Sequence, residues 1–247
     1  MSEGREKLKM AIENGDLITV KQIGEAEPNL LHEPLLSRAW RSDYPMTEAA
    51  VSGHSEILAY LIAQGGDVMD RHNFPLCRAA LSDHCIPTME ILIQHGADVN
   101  RTTQDYGPPL IFAIEGRALG SMKFLLENGA QIAGSGPSET QTVSWDALKH
   151  ATSFNRKCPG MLALLLDHGA DVSSPIVDQH GGSDNNTALH GAAEKGDIKG
   201  VKLLLLHGAE PNAKNSQGQQ PVEVTRNQKV RELLEKTWAV TLTANRP

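Results

Sequence analysis

The chain has 247 residues, of which 40% are hydrophobic, and its formal net charge is −7 at pH 7. An acidic chain lacks the dominant basic field that nucleic-acid binding needs. No run approaches the roughly 18 apolar residues of a membrane helix, and the N-terminal MSEGREKLKM lacks the apolar segment of a secretory leader. We therefore expect no nucleic-acid or membrane partner, and we expect the protein in the cytoplasm, with the nucleus as the alternative.

The three cysteines, Cys77, Cys85 and Cys158, are odd in number and lack paired metal-ligand spacing. They suit a reducing compartment. No metal site is predicted, and no sequence motif for a cofactor or a catalytic nucleophile is found (GxSxG, P-loop, GxGxxG or HExxH).

In chain order, residues 4–36 predict an N-terminal cap of two helices broken at Gly15 and Asp16, with a polar outer face. Five units follow, and each has a turn, a short helix with small residues, a tight loop, a longer apolar helix and a glycine. They are predicted at 43–70, 71–101, 102–132, 143–172 and 184–215. Such a helix pair cannot bury both faces alone, so it needs neighbours of the same kind.

The clearest marker of each unit is the glycine that ends its second helix. These glycines recur at steps of roughly 31 to 40 residues, close to the period of helical repeat proteins. They are Gly65, Gly96, Gly129, Gly169 and Gly208. A glycine stop predicts a residue with positive φ just after the helix.

Polar, Gly- and Ser-rich segments at 133–142 and 173–183 predict inserted loops at the turn edge of the units. Residues 216–237 keep the phase of the repeat but exchange apolar for charged residues, which predicts a C-terminal cap. Residues 238–247 predict a tail.

Three stretches are diagnostic: TALHGAA at 187–193, SGHSEIL at 52–58 and HGADVN at 95–100. Together they resemble the ankyrin repeat family. The resemblance implies an all-α solenoid of stacked helix-loop-helix units with turn or hairpin tips, N- and C-terminal caps and about seven repeats including the caps. It implies a single ankyrin-repeat domain over 1–247. It also implies that the ring of His190 satisfies backbone groups of adjacent turns.

In this family a concave face is formed by the tips and by the outward positions of the short helices. Aromatic and basic residues gather at those positions, and such residues anchor binding sites. The predicted binding set is Trp40, Arg41, Arg71, His72, Arg78, Tyr106, Phe112, Trp145, His150 and Phe154. The regular unit at 184–215 places only Gly191, Glu194 and Lys195 there and predicts no site. Packing of the aromatics and ion pairing of the arginines with Asp43, Asp70 and Asp105 is the structural alternative.

The favoured function is a binding module or scaffold, acting as a monomer, whose concave face holds a protein or peptide partner with an acidic group. The resemblance implies the same role. The alternative is a small-molecule pocket closed by the two inserted loops, in which Glu48, Arg78, Glu115 and His150 would perform acid/base chemistry without a cofactor, as in a cyclase, isomerase or lyase. A third reading is a portion of a longer array, against which the two polar caps argue.

Overall fold

The computed structural model describes residues 3–38, 41–69, 74–102, 107–137, 142–155, 157–158, 160–173 and 186–244. Within these ranges, only the backbone is described at 36–43, 134–145 and 238–244. The helices are α1 (Glu3–Glu13), α2 (Leu17–Ala26), α3 (Pro45–Val51), α4 (Ser55–Ala63), α5 (Pro75–Ala79), α6 (Ile86–Gln94), α7 (Pro109–Gly116), α8 (Leu119–Glu127), α9 (Ala147–Phe154), α10 (Met161–Asp167), α11 (Ala188–Glu194), α12 (Ile198–Leu206), α13 (Pro221–Val224) and α14 (Gln228–Ala244). Short 3₁₀ turns occupy Pro28–Leu31 and Asp83–Cys85.

Two short antiparallel hairpins lie in the turns between helix pairs. One pairs β1 (Leu36–Arg38) with β2 (Arg41–Asp43), and the other pairs β3 (Ala133–Pro137) with β4 (Thr142–Asp146). The predicted helical fold with hairpin tips is confirmed. The second hairpin includes most of the segment 133–142 that the sequence assigns to an inserted loop.

The described residues form two compact units, Met1–Ala130 and Gln131–Pro247, called unit 1 and unit 2 below. In unit 1 the first helices of successive pairs pack in the order α1, α3, α5, α7, and the second helices pack in the order α2, α4, α6, α8. In unit 2 the corresponding orders are α9, α11, α13 and α10, α12, α14. Each apolar helix is therefore covered by its partner and by the neighbouring pairs, as repeat packing requires.

The five glycine stops have the backbone conformation that the sequence predicts. Gly65, Gly96, Gly129, Gly169 and Gly208 have φ between 85° and 94°. No heavy atom lies within 4 Å of the position that a Cβ would take at any of them. Glycine is therefore used here for its left-handed φ, and a close approach of neighbouring atoms has no part in it.

Side chains in the tight loops connect each helix pair to the next. His54 Nε2 donates to the carbonyl oxygen of Glu13 at 3.1 Å, and the amide of Ser121, in the first turn of α8, donates to Asp83 Oδ1 at 2.7 Å. In unit 2, Asn227 Nδ2 donates to the carbonyl oxygen of Gly196 at 3.3 Å. These bonds satisfy backbone groups that the loops and helix ends leave without a partner.

The last helix, α14, continues to Ala244 and so covers most of the segment 238–247 that the sequence assigns to a tail. Val230 and Leu234 on this helix are buried, which is how the C-terminal pair joins the core of unit 2. No helix in the described part of the chain is both long and apolar enough to cross a membrane.

Candidate functional site

The first helices of unit 1 present one side chain each at the same repeat position. This residue directly precedes a pair of buried apolar residues, such as Ala49–Ala50 in α3 or Ala79–Ala80 after Arg78. Because the buried pair faces the core, the preceding residue lies toward the surface. The four residues are Met10, Glu48, Arg78 and Phe112, called the first-helix row below.

Arg78 lies in the middle of this row and is half-buried in α5. Its helix packs against α3, which carries Glu48, and against α7, which carries Phe112. No hydrogen bond or ion pair joins Arg78 to another described residue. No described residue occupies the five N–H donors of its planar guanidinium, and the geometry of that group suits a carboxylate.

The acidic residues of the predicted catalytic set also lie in unit 1. The Glu48 carboxylate accepts from Ser52 Oγ at 3.5 Å. Partial burial raises the pKa of the Glu115 carboxyl, which projects from α7. Glu48, Arg78 and Glu115 therefore share one unit.

The fourth member of that set, His150, belongs to unit 2 together with Phe154, and both lie on α9. Burial, and secondly the charge of Lys149, lower the pKa of His150 to about 4. The imidazole is therefore neutral at neutral pH and offers a lone pair instead of a positive charge.

The remaining predicted residues cannot be placed as side chains. Trp40, Arg71, His72 and Tyr106 lie outside the described residues. Arg41 and Trp145 belong to β2 and β4, but only their backbone is described.

Two features of the structure were missed by the sequence prediction. Met10, 56% exposed, is part of the first-helix row although the sequence assigns it to a cap. The signal was present, because Met10 precedes the buried Ala11 and Ile12 as Arg78 precedes its own small pair. The second feature is a cavity of about 520 Å³ between α11 and α13, lined in part by Glu194.

His190 has the structural role that the sequence predicts for it. The amide of Thr187 donates to its Nδ1 at 3.1 Å, and its Nε2 donates to the carbonyl oxygen of Gln219, in the next turn, at 3.0 Å. These two bonds fix the neutral tautomer that carries hydrogen on Nε2. Burial lowers the pKa of His190, consistent with a neutral ring.

Among the described residues, no group of three or more His, Cys, Asp or Glu side chains is placed to hold a metal ion. The chemistry that these surfaces offer is therefore hydrogen bonding, ion pairing and apolar contact.

Comparison with known proteins gives the family. The family model for ankyrin repeats, in three copies, matches residues 8–103 and 110–215, which is most of the chain. Ankyrin repeat domains are protein–protein interaction modules.

Curated relatives share parts of the chain. Alpha-latrocrustotoxin-Lt1a of Latrodectus tredecimguttatus is 24% identical over 197 residues, which are 73% of this chain and 13% of the toxin. Ankyrin repeat and SOCS box protein 2 of Homo sapiens is 35% identical over 102 residues, 41% of this chain and 15% of that protein. Ankyrin repeat and SOCS box protein 11 of Danio rerio is 38% identical over 71 residues, which are 29% of this chain and 22% of that protein. The matches thus span less than a quarter of the length of each of these relatives.

Solved structures agree on the fold. The ankyrin repeat domain of Bcl-3, described as a member of the IκB protein family, superposes with a TM-score of 0.69 at 24% identity, covering 93% of this chain and 97% of that one. The human ASB11 ankyrin repeat domain superposes with a TM-score of 0.69 at 23% identity, covering 92% of this chain and 96% of that one. The chain belongs to the ankyrin repeat family.

Proposed function

We propose that this protein is a binding module whose first-helix row holds a segment of a partner protein that carries an acidic group. In this proposal the row forms part of the concave face that the sequence predicts. The partner's carboxylate pairs with Arg78, and its apolar side chains contact Phe112 and Met10.

The observation that carries the proposal is the state of Arg78. A guanidinium that is half-buried and bonded to no other described residue has lost part of its hydration without a compensating ion pair. A carboxylate bound there in a bidentate manner would restore the lost hydrogen bonds in a partly desolvated site. Such pairs contribute more to binding than fully exposed ion pairs do.

Two other members of the row supply the apolar part of the contact. Met10 is 56% exposed, which is unusual for a large apolar side chain, and Phe112 is half-buried on the adjoining helix of the packed series. Methionine adapts its shape to varied partners, and aromatic side chains provide large contact areas. Arginine, methionine and aromatic side chains, which make up three of the four members of the row, are enriched at the centres of protein interfaces.

The proposed compartment is the cytoplasm. No disulfide joins any two of Cys77, Cys85 and Cys158. Free thiols persist in a reducing compartment, where disulfides are rare.

The test is site-specific photo-crosslinking in cells. A photoreactive phenylalanine analogue at Phe112 should crosslink a partner protein, and Arg78→Glu in the same chain should reduce the yield at least tenfold. The control for Phe112 is the same analogue at Phe124, on the second helix α8 and away from the row. The control for Arg78→Glu is Lys123→Glu, which reverses the charge of an exposed residue on α8.

Crosslinks that are equally abundant at Phe112 and Phe124 would contradict the proposal. So would an unchanged yield in Arg78→Glu, provided that circular dichroism shows the variant folded.

A further inference from the structure

A cavity of about 520 Å³ lies between α11 and α13 in unit 2. Its volume falls within the range of roughly 300–1,000 Å³ that is typical of ligand sites. The helix α11 contributes His190 and Glu194 to its lining, and α13 contributes Glu223 and Val224. The charged residues that line it are Glu194, Glu223, Arg226 and Arg231.

Two of these side chains are negative and two are positive, yet no ion pair joins any two of the four. Two of them are held by the backbone: Glu223 accepts from the amide of Gln220 at 2.6 Å, and Arg231 donates to the carbonyl oxygen of Thr225 at 3.1 Å. The other two, Glu194 and Arg226, are exposed and form no hydrogen bond with another described residue. Two negative and two positive groups thus share one cavity and remain separated.

The wall of the cavity is preorganised by a hydrogen-bond network centred on Asn215. Its Oδ1 accepts from the amides of Gln217 and Gln219 at 3.1 and 2.8 Å, and its Nδ2 donates to Asn186 Oδ1 at 3.0 Å. His190 holds the carbonyl oxygen of Gln219 from the other side. A preorganised wall reduces the entropy that binding would otherwise cost.

We propose that this cavity binds a stretch of peptide backbone that carries one ammonium and one carboxylate group. The ammonium group pairs with Glu194 and Glu223, and the carboxylate pairs with Arg226 and Arg231. The carboxamide of Gln217, which can both donate and accept, hydrogen-bonds the peptide group between the two charges. A ligand with both charges would pair with groups that form no ion pair with one another.

The same ligand chemistry can come from two sources. A short free peptide supplies the two charges at its termini. An extended segment of a partner protein supplies them as a lysine and an acidic side chain. The proposal concerns residues of unit 2 and does not depend on the proposed function of the first-helix row in unit 1.

The experiment is a titration of the ¹⁵N-labelled full chain followed by amide chemical shifts. Three probes are compared: triglycine with free termini, a blocked tripeptide of lysine, glycine and glutamate, and blocked triglycine. We expect at least one of the two charged probes to shift the amides of Glu194, Gln217 and Arg226 and to bind at least tenfold tighter than blocked triglycine. If free triglycine binds, the ligand is a short free peptide. If the blocked tripeptide of lysine, glycine and glutamate binds, the ligand is a segment of a partner protein.

Variants separate ligand contact from a structural role. Glu194→Gln should weaken the bound probe about tenfold, and it should have no effect on the same probe when its ammonium group is acetylated. Arg226→Gln should show the corresponding dependence on the carboxylate. The controls Lys202→Gln and Glu235→Gln remove exposed charges that do not line the cavity.

Equal binding of all three probes, or binding of none, would overturn the proposal. So would a loss of affinity in the controls equal to that in the cavity variants.

Discussion

Asn155 Nδ2 donates to Asp197 Oδ2 at 2.6 Å, and both side chains are buried. Asp197 is the residue that precedes α12, but its carboxylate makes no hydrogen bond to the first turn of its own helix. The side chain that satisfies it follows α9, in the preceding helix pair. One pair thus supplies the hydrogen bond that the buried acid of the next pair requires.

Replacing this donor should destabilise unit 2. Asn155→Ala leaves a buried carboxylate without its hydrogen bond, which costs about 1–3 kcal/mol or more. The measurement is urea denaturation followed by circular dichroism, with Lys202→Ala on the exposed face of α12 as the control, expected within about 0.5 kcal/mol of the wild type. A free energy of unfolding equal to that of the control would show that the bond contributes nothing.

A close approach of two helix ends in unit 1 leaves no space for a side chain at Gly116. A Cβ at this position would lie 2.1 Å from the carbonyl oxygen of Leu81, at the end of the preceding first helix. Gly116→Ala therefore forces backbone apart and should cost about 3 kcal/mol. Gly129→Ala, where φ is 87° and no atom is near, should cost only about 1–2 kcal/mol from the left-handed conformation. Thermal unfolding of the two variants side by side tests this order; a larger loss for Gly129→Ala would contradict it.

The stability of unit 2 should depend on pH through His150. Burial lowers its folded-state pKa from 6.5 to about 4, so between these values the unfolded chain binds a proton that the folded chain does not. Stability is then fully present above pH 6.5 and is lost as the pH falls toward 4, by about 2 kcal/mol between pH 7 and 5. Urea denaturation at both pH values measures the loss.

The matched variant for this effect is His150→Leu, which removes the titrating group and should lose about 2 kcal/mol less than the wild type over the same interval. His207→Leu, at an exposed histidine, should keep the wild-type slope. Identical slopes for all three proteins would show that His150 does not bind the proton. The lowered pKa of His190 acts in the same direction and is present in each protein.

The thiols should differ in reactivity. Burial raises the pKa of Cys77 strongly and that of Cys85 to about 11, and both side chains are at most 2% exposed. Cys158 is partly exposed. Since the thiolate is the reactive form, iodoacetamide at pH 8 should alkylate Cys158 first, and the other two only after unfolding. Peptide mass spectrometry identifies the modified residue, and early alkylation of Cys77 in the folded protein would contradict the expectation.

Much of the fold could be predicted from local pattern. The glycine after each second helix requires a positive φ, and the five glycines that mark the repeats have one. The role of His190 was predictable for the same reason, because its partners lie in the turns that the repeat places beside it. Such features follow the period of the repeat, and their partners lie at fixed positions in the neighbouring repeat.

The site was less predictable. The position of Arg78 on an outward face follows from the pattern, but the lack of a bonded partner among the described residues depends on what the adjoining helices place nearby. Glu194 was assigned no role because its own repeat is regular. It lines a cavity together with residues of α13, in the next pair, and of the turn that precedes α13.

By itself, the sequence determined the helix pairs, their glycine ends, the hairpin tips and the family, because periodic burial and backbone conformation are encoded within each repeat. Only the tertiary structure decided which charges are satisfied and which are not. It paired Asn155 with Asp197 across 42 residues of sequence and kept Glu194 without a partner among the described residues. A hydrogen bond between two repeats requires donor and acceptor to lie about 3 Å apart, and no pattern within one repeat fixes that distance.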